Sequence, residues 1–177
     1  AIIKGNHILM IVKEKKILLP KGGDKMNSKK GTVLAVCIGN SRKIPKKQVA
    51  SAILIKDFGI QGDIHAGRDH KQVSLLDLVS LEKNRKEGYE LHYGDLFENI
   101  DFQGIADLYK YPLGTLIRIG KDVILSITQI GKDHDVDIIV RGKKVPSIMP
   151  AEGIFTKVVE GGTIQSGDTI EVITEDD

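Results

Sequence analysis

Apolar residues along this chain fall into short runs that are separated by glycine or by charged residues. Runs of about four to eight apolar residues between turn residues are typical of β-strands. The predicted strands cover residues 33–38, 52–55, 116–119, 123–130, 154–159, 163–164 and 169–173. Of these, 116–119 and 123–130 are separated by a short glycine-containing turn and predict a β-hairpin.

One segment has the spacing of a helix. It begins near Ser74 or Asp77, includes Leu81, and ends at Gly88. Basic residues fill its last turn, where cations stabilise the negative end of a helix dipole. Many short strands, one or two short helices and no regular strand–helix alternation predict a mainly β chain, folded as a mostly antiparallel barrel or sandwich.

Length and composition are those of one globular domain. The chain has 177 residues, 41% hydrophobic and 28% charged, which is enough to bury a core. No apolar run approaches the roughly 18 residues of a membrane-spanning helix, so no membrane association is predicted. The lone cysteine, Cys37, excludes an internal disulfide and is compatible with a cytoplasmic location. It lies in a strand-like run, which favours a buried residue over a reactive thiol.

Charge is distributed unevenly along the chain. Residues 1–30 carry eight lysines and two acidic residues, whereas the rest has a net charge of −4 within an overall +2. A mildly acidic body with only four Tyr and four Phe argues against a nucleic-acid-binding surface. The basic character belongs to the N-terminal segment.

The N-terminal segment allows two interpretations. We favour residues 1–25 as an extension outside the domain, read through from upstream sequence, with a single domain over 26–177 that begins at Met26. The alternative is a genuine hairpin, since residues 8–12 and 17–19 are apolar and flank a charged turn.

A glycine-rich block, residues 59–67, surrounds Asp63 and His65 and is followed by polar and basic residues. Glycine lets a backbone turn sharply and approach a ligand closely. The candidate ligand-binding residues of this region are Asp63, His65, Arg68, His70, Lys71 and Gln72. The alternative is a tight loop whose Asp and His only satisfy backbone groups.

A second polar segment, residues 131–137, contains three aspartates and His134. In an extended chain alternate residues share a face, so the aspartates would line up while His134 points away. This arrangement favours a hydrated acidic edge over a metal site, and we place Lys132 on that solvated edge.

Three blocks resemble the MOSC family, the domain at the C-terminus of molybdenum-cofactor sulfurases that also occurs alone in bacteria. The resemblance runs from about Gly31 to Ile173, and its blocks are residues 62–76, 94–100 and 148–155. It implies a closed antiparallel β-barrel-like fold. It also implies that Glu98 and Asn99 hydrogen-bond a pterin-like heterocycle, with capping of their own loop as the alternative, and that Glu152 anchors the pocket.

The chain departs from the family pattern at several positions. Lys71 and Ala151 stand where relatives usually have arginine, and the positions of the family's cysteines fall on His134, Ile138 and Ser147. A thiolate can carry sulfur or ligate molybdenum, and isoleucine and serine cannot replace it. No catalytic residue is therefore assigned, and no protein metal ligand is predicted.

The resemblance implies a role in molybdenum cofactor metabolism. We expect a domain that binds or carries the molybdenum cofactor (molybdopterin), with the cofactor itself, a molybdenum enzyme or a cofactor-synthesis protein as its partner. The alternative is an enzyme, a molybdenum-dependent reductase or a sulfurtransferase. Pyridoxal phosphate is not expected, because the desulfurase half of the larger sulfurases has no counterpart in so short a chain.

Overall fold

The computed structural model describes residues 2–4, 7–12, 15–19 and 29–174. The strands of this part of the chain are β1 (Ile2–Lys4), β2 (His7–Val12), β3 (Lys15–Leu19), β4 (Lys30–Ile38), β5 (Lys47–Val49), β6 (Ser51–Ile55), β7 (Gly59–Ile60), β8 (Val73–Asp77), β9 (Ile100–Gln103), β10 (Leu116–Ile119), β11 (Val123–Ile130), β12 (Asp137–Val140), β13 (Lys143–Pro146), β14 (Ile154–Glu160), β15 (Gly162–Gln165) and β16 (Thr169–Ile173). The helices are α1 (Leu78–Lys86), α2 (Met149–Glu152) and a 3-10 turn, Leu108–Lys110.

Seven strands close into a barrel. Their order is β16-β10-β11-β14-β8-β9-β4, and β4 pairs back with β16. All neighbours are antiparallel except β8 and β9, which are parallel and are joined through α1. A helical crossover is the usual way to connect parallel strands. The predicted closed, mainly β barrel with short helices is confirmed, and the single parallel pair is an addition to it.

The barrel core and a second apolar cluster share strand β8. Leu75 of β8 packs inside the barrel, where Phe102 and Leu125 are also fully buried. Leu76, the next residue, points to the opposite face and belongs to a cluster that includes Leu81 of α1 and Met149 of α2. This second cluster holds the helices and the β12–β13 hairpin against the outside of the barrel.

Helix α1 agrees with one of its two predicted starts. Asp77 is the N-cap and accepts a hydrogen bond from the Val79 N–H at 3.2 Å, so a start at Ser74 is wrong because β8 continues through Asp77. The chain leaves the helix at Gly88, whose φ of 96° suits glycine. Neither α-helix of the described ranges is long and apolar enough to cross a membrane.

Strands β1, β2 and β3 form a separate antiparallel sheet. Within the described residues, none of the three shares a backbone ladder with the barrel. The β2–β3 pair lies where the sequence allowed a hairpin. A domain that begins at Met26, which lies outside the described residues, stays a prediction.

Candidate functional site

Asp63 lies at the centre of a buried hydrogen-bond network. Its carboxylate accepts from the backbone N–H groups of Gly39 (3.1 Å) and His65 (2.9 Å). It also accepts from Nδ2 of Asn99 at 3.0 Å and from Nζ of Lys46 at 2.9 and 2.8 Å. Asp63 thereby ties together segments that are distant in sequence.

Lys46 and Asp63 form an ion pair with no exposed side-chain surface. Burial would raise the pKa of Asp63, but the charge and hydrogen bonds of Lys46, with the two backbone donors, lower it overall. Burial lowers the pKa of Lys46, and the carboxylate of Asp63 opposes that change. A buried carboxylate needs such a partner, because an isolated charge away from water is very costly.

His65 lies beside the buried pair. Its Nδ1 is 3.0 Å from Nζ of Lys46, and its side chain is 22% exposed. Burial first, and then the positive charge of Lys46, lower the pKa of His65 to about 4. The imidazole is therefore neutral at neutral pH.

Asn99 is completely buried and uses its whole amide inside the protein. Its Nδ2 donates to the Cys37 carbonyl and to Asp63, each at 3.0 Å. Its Oδ1 accepts from the backbone N–H of Ser74 at 3.1 Å and from the hydroxyl of Ser74 at 3.2 Å. An amide has two donors and two acceptor sites, so Asn99 supports the site and has nothing left to offer a ligand.

Glu98 is also fully buried and interacts with a second carboxyl group, Asp101. One oxygen of Glu98 accepts from the Gly94 N–H at 2.7 Å. Burial raises the pKa of Glu98, and burial together with the neighbouring Glu98 raises that of Asp101 well above its ordinary value. The two groups form a buried acid pair next to the Gly94 loop.

Gln72 forms hydrogen bonds that hold the loop with Arg68, His70 and Lys71 in place. It is buried, its Nε2 donates to the Arg68 carbonyl at 2.9 Å, and its Oε1 accepts from the Val158 N–H at 3.0 Å. His70 is exposed, and its carbonyl accepts from the hydroxyl of Thr128. Gln72 thus fixes the backbone of this loop against β14.

Two lysines lie over one aromatic ring. Nζ of Lys71 is 5.4 Å and Nζ of Lys132 is 6.0 Å from the centre of the Phe155 ring. Burial first, and then the charges of Lys71 and Arg68, lower the pKa of Lys132. The prediction that Lys132 lies on a solvated edge is wrong, because its side chain lies over Phe155 and forms a basic cluster with Lys71 and Arg68.

A cleft of about 480 Å³ opens where these groups meet. Its basic lining residues are Arg42, Lys43, His65 and Lys132. Its apolar lining residues are Leu96, Phe97, Val136, Ile138, Ile139, Met149 and Phe155. Ser41, Ser74 and Asp137 complete the lining, and Asp137 pairs with Lys144 at 2.8 Å. This lining suits a ligand that combines a flat apolar part with an anionic group.

Glu152 does not line this cleft. It lies on α2, nearly buried, and forms an ion pair with Lys83 of α1. Its other oxygen, Oε2, is buried and has no hydrogen-bond partner within the described part of the chain. The structure therefore separates Glu152 from the group formed by Asp63, His65 and the basic cluster.

The segment 133–137 is exposed at its charged positions, as expected of a hydrated acidic edge. Asp133, His134 and Asp135 all face solvent. Over the described ranges, no group of three or more His, Cys, Asp or Glu side chains is arranged to hold a metal ion.

Cys37 is fully buried in β4, as predicted. Burial, followed by the charges of Asp101 and Glu98, raises the pKa of its thiol. It does not line the cleft. A protonated thiol in this position is a packing residue.

Sequence reasoning missed several residues that frame the site. Lys46 stands in the run Pro45-Lys46-Lys47, and nothing in the sequence distinguishes the buried lysine from its exposed neighbour. Arg42 and Lys43 lie in a loop that carried no motif. Phe97 offered a usable signal, since its loop resembles a MOSC block, and it lines the cleft with a φ of 70°.

Comparison with known proteins gives similarity in structure only. No protein-family model matches the chain, and no curated protein matches it in sequence. The crystal structure of the YuaD protein from Bacillus subtilis is similar with a TM-score of 0.63 and 18% identity, over 81% of this chain and 95% of that one.

Two YiiM crystal structures are also similar. YiiM from Geobacillus stearothermophilus has a TM-score of 0.56 and 15% identity, over 81% of this chain and 75% of its own. YiiM from Escherichia coli has a TM-score of 0.52 and 16% identity, over 82% and 70%. These neighbours support a MOSC-like fold.

Proposed function

We propose that this chain binds or carries the molybdenum cofactor, or the phosphorylated pterin part of it. The MOSC-like fold makes a cofactor-related domain the starting hypothesis. The observation that carries the proposal is the cleft, in which three cationic residues, the neutral His65 and seven apolar residues line one space. The proposed partners are the cofactor and the proteins that make or receive it.

The cleft residues fit the organic part of such a ligand. Charged hydrogen bonds from Lys132 and from Arg42 or Lys43 suit a phosphate. The faces of Phe97 and Phe155 suit a flat heterocycle, since stacking and apolar burial are what aromatic rings supply. The volume lies within the usual range for small-molecule sites.

The chain's own residues would hold the pterin and phosphate, and the bound cofactor would supply a redox-active metal. Cys37 is buried away from the cleft with a raised pKa. A thiolate is the reactive form in sulfur transfer. Sulfur transfer through a protein thiol is therefore not part of the proposal.

Binding of a phosphorylated pterin, followed by its intrinsic fluorescence, tests the proposal. Replacing Lys71 and Lys132 together by alanine removes one cation that lines the cleft, Lys132, and a second, Lys71, that lies over the same Phe155 ring. Since a charged hydrogen bond contributes about 1.5–3 kcal/mol, we expect at least a roughly tenfold loss of affinity.

The matched control replaces two exposed lysines that do not line the cleft, Lys86 and Lys121. It has the same change in net charge and should bind with nearly unchanged affinity. Equal binding by the two double variants, or no binding by the unmodified protein at any salt concentration, would contradict the proposal.

A further inference from the structure

Lys46 has no hydrogen left to donate. A lysine ammonium has three N–H bonds, and three acceptors surround it. They are Oδ1 and Oδ2 of Asp63, at 2.9 and 2.8 Å, and Nδ1 of His65, at 3.0 Å. The lysine side chain is fully shielded from solvent, so each N–H is directed at one protein acceptor.

The third contact fixes the state of the imidazole. An ammonium group can only donate, so Nδ1 of His65 must accept through its lone pair. The ring proton then resides on Nε2, the nitrogen at the far side of the ring. Nε2 has no hydrogen-bond partner among the described residues, and His65 lines the cleft.

We propose that Lys46 is a positioning residue that holds His65 as a neutral Nε2–H donor for an anionic oxygen of the ligand. This inference rests on the proposed function, because it assigns a role within the same cleft. It makes His65 a hydrogen-bond donor and neither a proton acceptor nor a metal ligand at Nε2, since that nitrogen already carries the proton.

The charges around His65 also favour its neutral form. The groups that face it are Lys46, Asp63, Arg68 and Arg42. Three are cations that oppose an imidazolium, and Asp63, which would favour one, is already paired with Lys46. With a pKa of about 4, His65 keeps the same donor from pH 5 to 8.

The state of the ring is measurable without any ligand. We expect the imidazole nitrogens of His65, followed by 15N NMR in the full chain, to show the Nε2–H tautomer with no titration between pH 8 and 5. A proton on Nδ1, or titration near pH 6.5, would overturn the assignment. Removing the ammonium by Lys46→Met should raise the pKa of His65, because a lysine charge is lost while Asp63 remains; Lys47→Met, the exposed neighbour, should not.

Ligand binding tests the role of the donor. Pterin-6-carboxylate is a suitable probe because its carboxylate stays ionised above pH 5, whereas a phosphate titrates near pH 6. We expect affinity for this probe to be constant from pH 5 to 7, to fall about tenfold in His65→Leu, and to be largely kept in His65→Gln, whose amide still donates.

The outcomes distinguish the proposed function from the donor role of His65. If the probe binds, weakens with the Lys71 and Lys132 double variant, and is unaffected by His65→Leu, the proposed function stands and the donor role fails. If the probe and a phosphorylated pterin both fail to bind, the proposed function fails, and the donor role at this cleft fails with it. Should Lys46→Met not fold, the spectrum of the unmodified protein still decides the tautomer.

Discussion

Replacing Asp63 by asparagine should destabilise the protein strongly. The carboxylate oxygens accept five hydrogen bonds, two of them from Lys46. An asparagine keeps one acceptor oxygen but places an NH₂ group against donors, and it leaves the Lys46 charge buried and unpaired. Breaking a buried ion pair in this way costs about 3–5 kcal/mol, so we expect a loss of that size in the free energy of unfolding.

A double-mutant cycle shows whether the ion pair is the cause. Lys46→Met should also destabilise, because it leaves the Asp63 charge with neutral donors only. The double variant, which leaves no unpaired charge, should lose less than the two single losses added, by about 1–3 kcal/mol. Urea unfolding at pH 7, followed by circular dichroism, measures all four proteins. Asp69→Asn and Lys47→Met, at exposed neighbouring positions, are controls expected within about 0.5 kcal/mol of the unmodified protein.

The stabilisation that Asp63 provides should decrease as the pH falls. The pKa of Asp63 is lower in the folded protein than its ordinary value, so its contribution is present above about pH 4 and is lost as pH falls through the folded pKa. The difference between the unmodified protein and Asp63→Asn should therefore shrink in acid. A loss below about 1 kcal/mol at pH 7, or strictly additive single losses, would refute the reasoning.

Three further predictions concern other parts of the chain. Burial raises the pKa of Asp101, so the contribution of Asp101 to the free energy of unfolding is lost as pH rises towards the folded pKa. Between pH 5 and 8, Asp101→Asn should therefore lose less stability than the unmodified protein. Urea midpoints that change equally with pH in the two proteins would contradict this. Cys37→Ala should lower the free energy of unfolding by on the order of 1 kcal/mol and leave pterin binding unchanged. A thiol reagent should label Cys37 only in urea, and labelling of the folded protein would refute its burial. A chain that begins at Met26 should unfold at the same temperature as the full chain, and a drop of several degrees, as expected for about 1 kcal/mol, would show that residues 1–25 support the domain.

Local pattern was sufficient to predict much of the barrel. Four of the six residues of run 33–38 are buried, and buried and half-buried residues alternate in run 123–130 as far as Ile127; the two runs belong to β4 and β11. Helix α1 was predictable because Asp77 and Gly88 delimit it with local chemistry. These elements depend mainly on residues within them.

Strand β9 was not predictable in the same way. It contains Asp101, which is completely buried, and a buried aspartate is unusual in a strand because its charged form is poorly solvated. Its raised pKa depends first on burial and then on the neighbouring Glu98. That information is tertiary, so a pattern of apolar residues could not supply it.

Lys46 and Lys132 show the same limit within the site. Lys46 differs from Lys47 only through Asp63, which is 17 residues away. The acidic neighbours of Lys132 predict a solvated edge, yet its side chain lies over the Phe155 ring of β14. A charged residue acquires its role from partners that the fold brings to it, and the local sequence does not record them.

The glycine block and the basic cluster therefore carry different information about function. Asp63 and Asn99 are saturated by hydrogen bonds inside the protein, so a MOSC-like fold would need them whether or not a ligand binds. Among the described residues, the side chain of Lys132 has no hydrogen bond or ion pair of this kind. Burial first, and then the charges of Lys71 and Arg68, lower its pKa. A cation held near Lys71 and Arg68 is destabilised by its surroundings, and an anionic ligand would relieve that repulsion. Resemblance at Asp63 thus supports the fold, whereas the proposed ligand depends on the basic residues of the cleft.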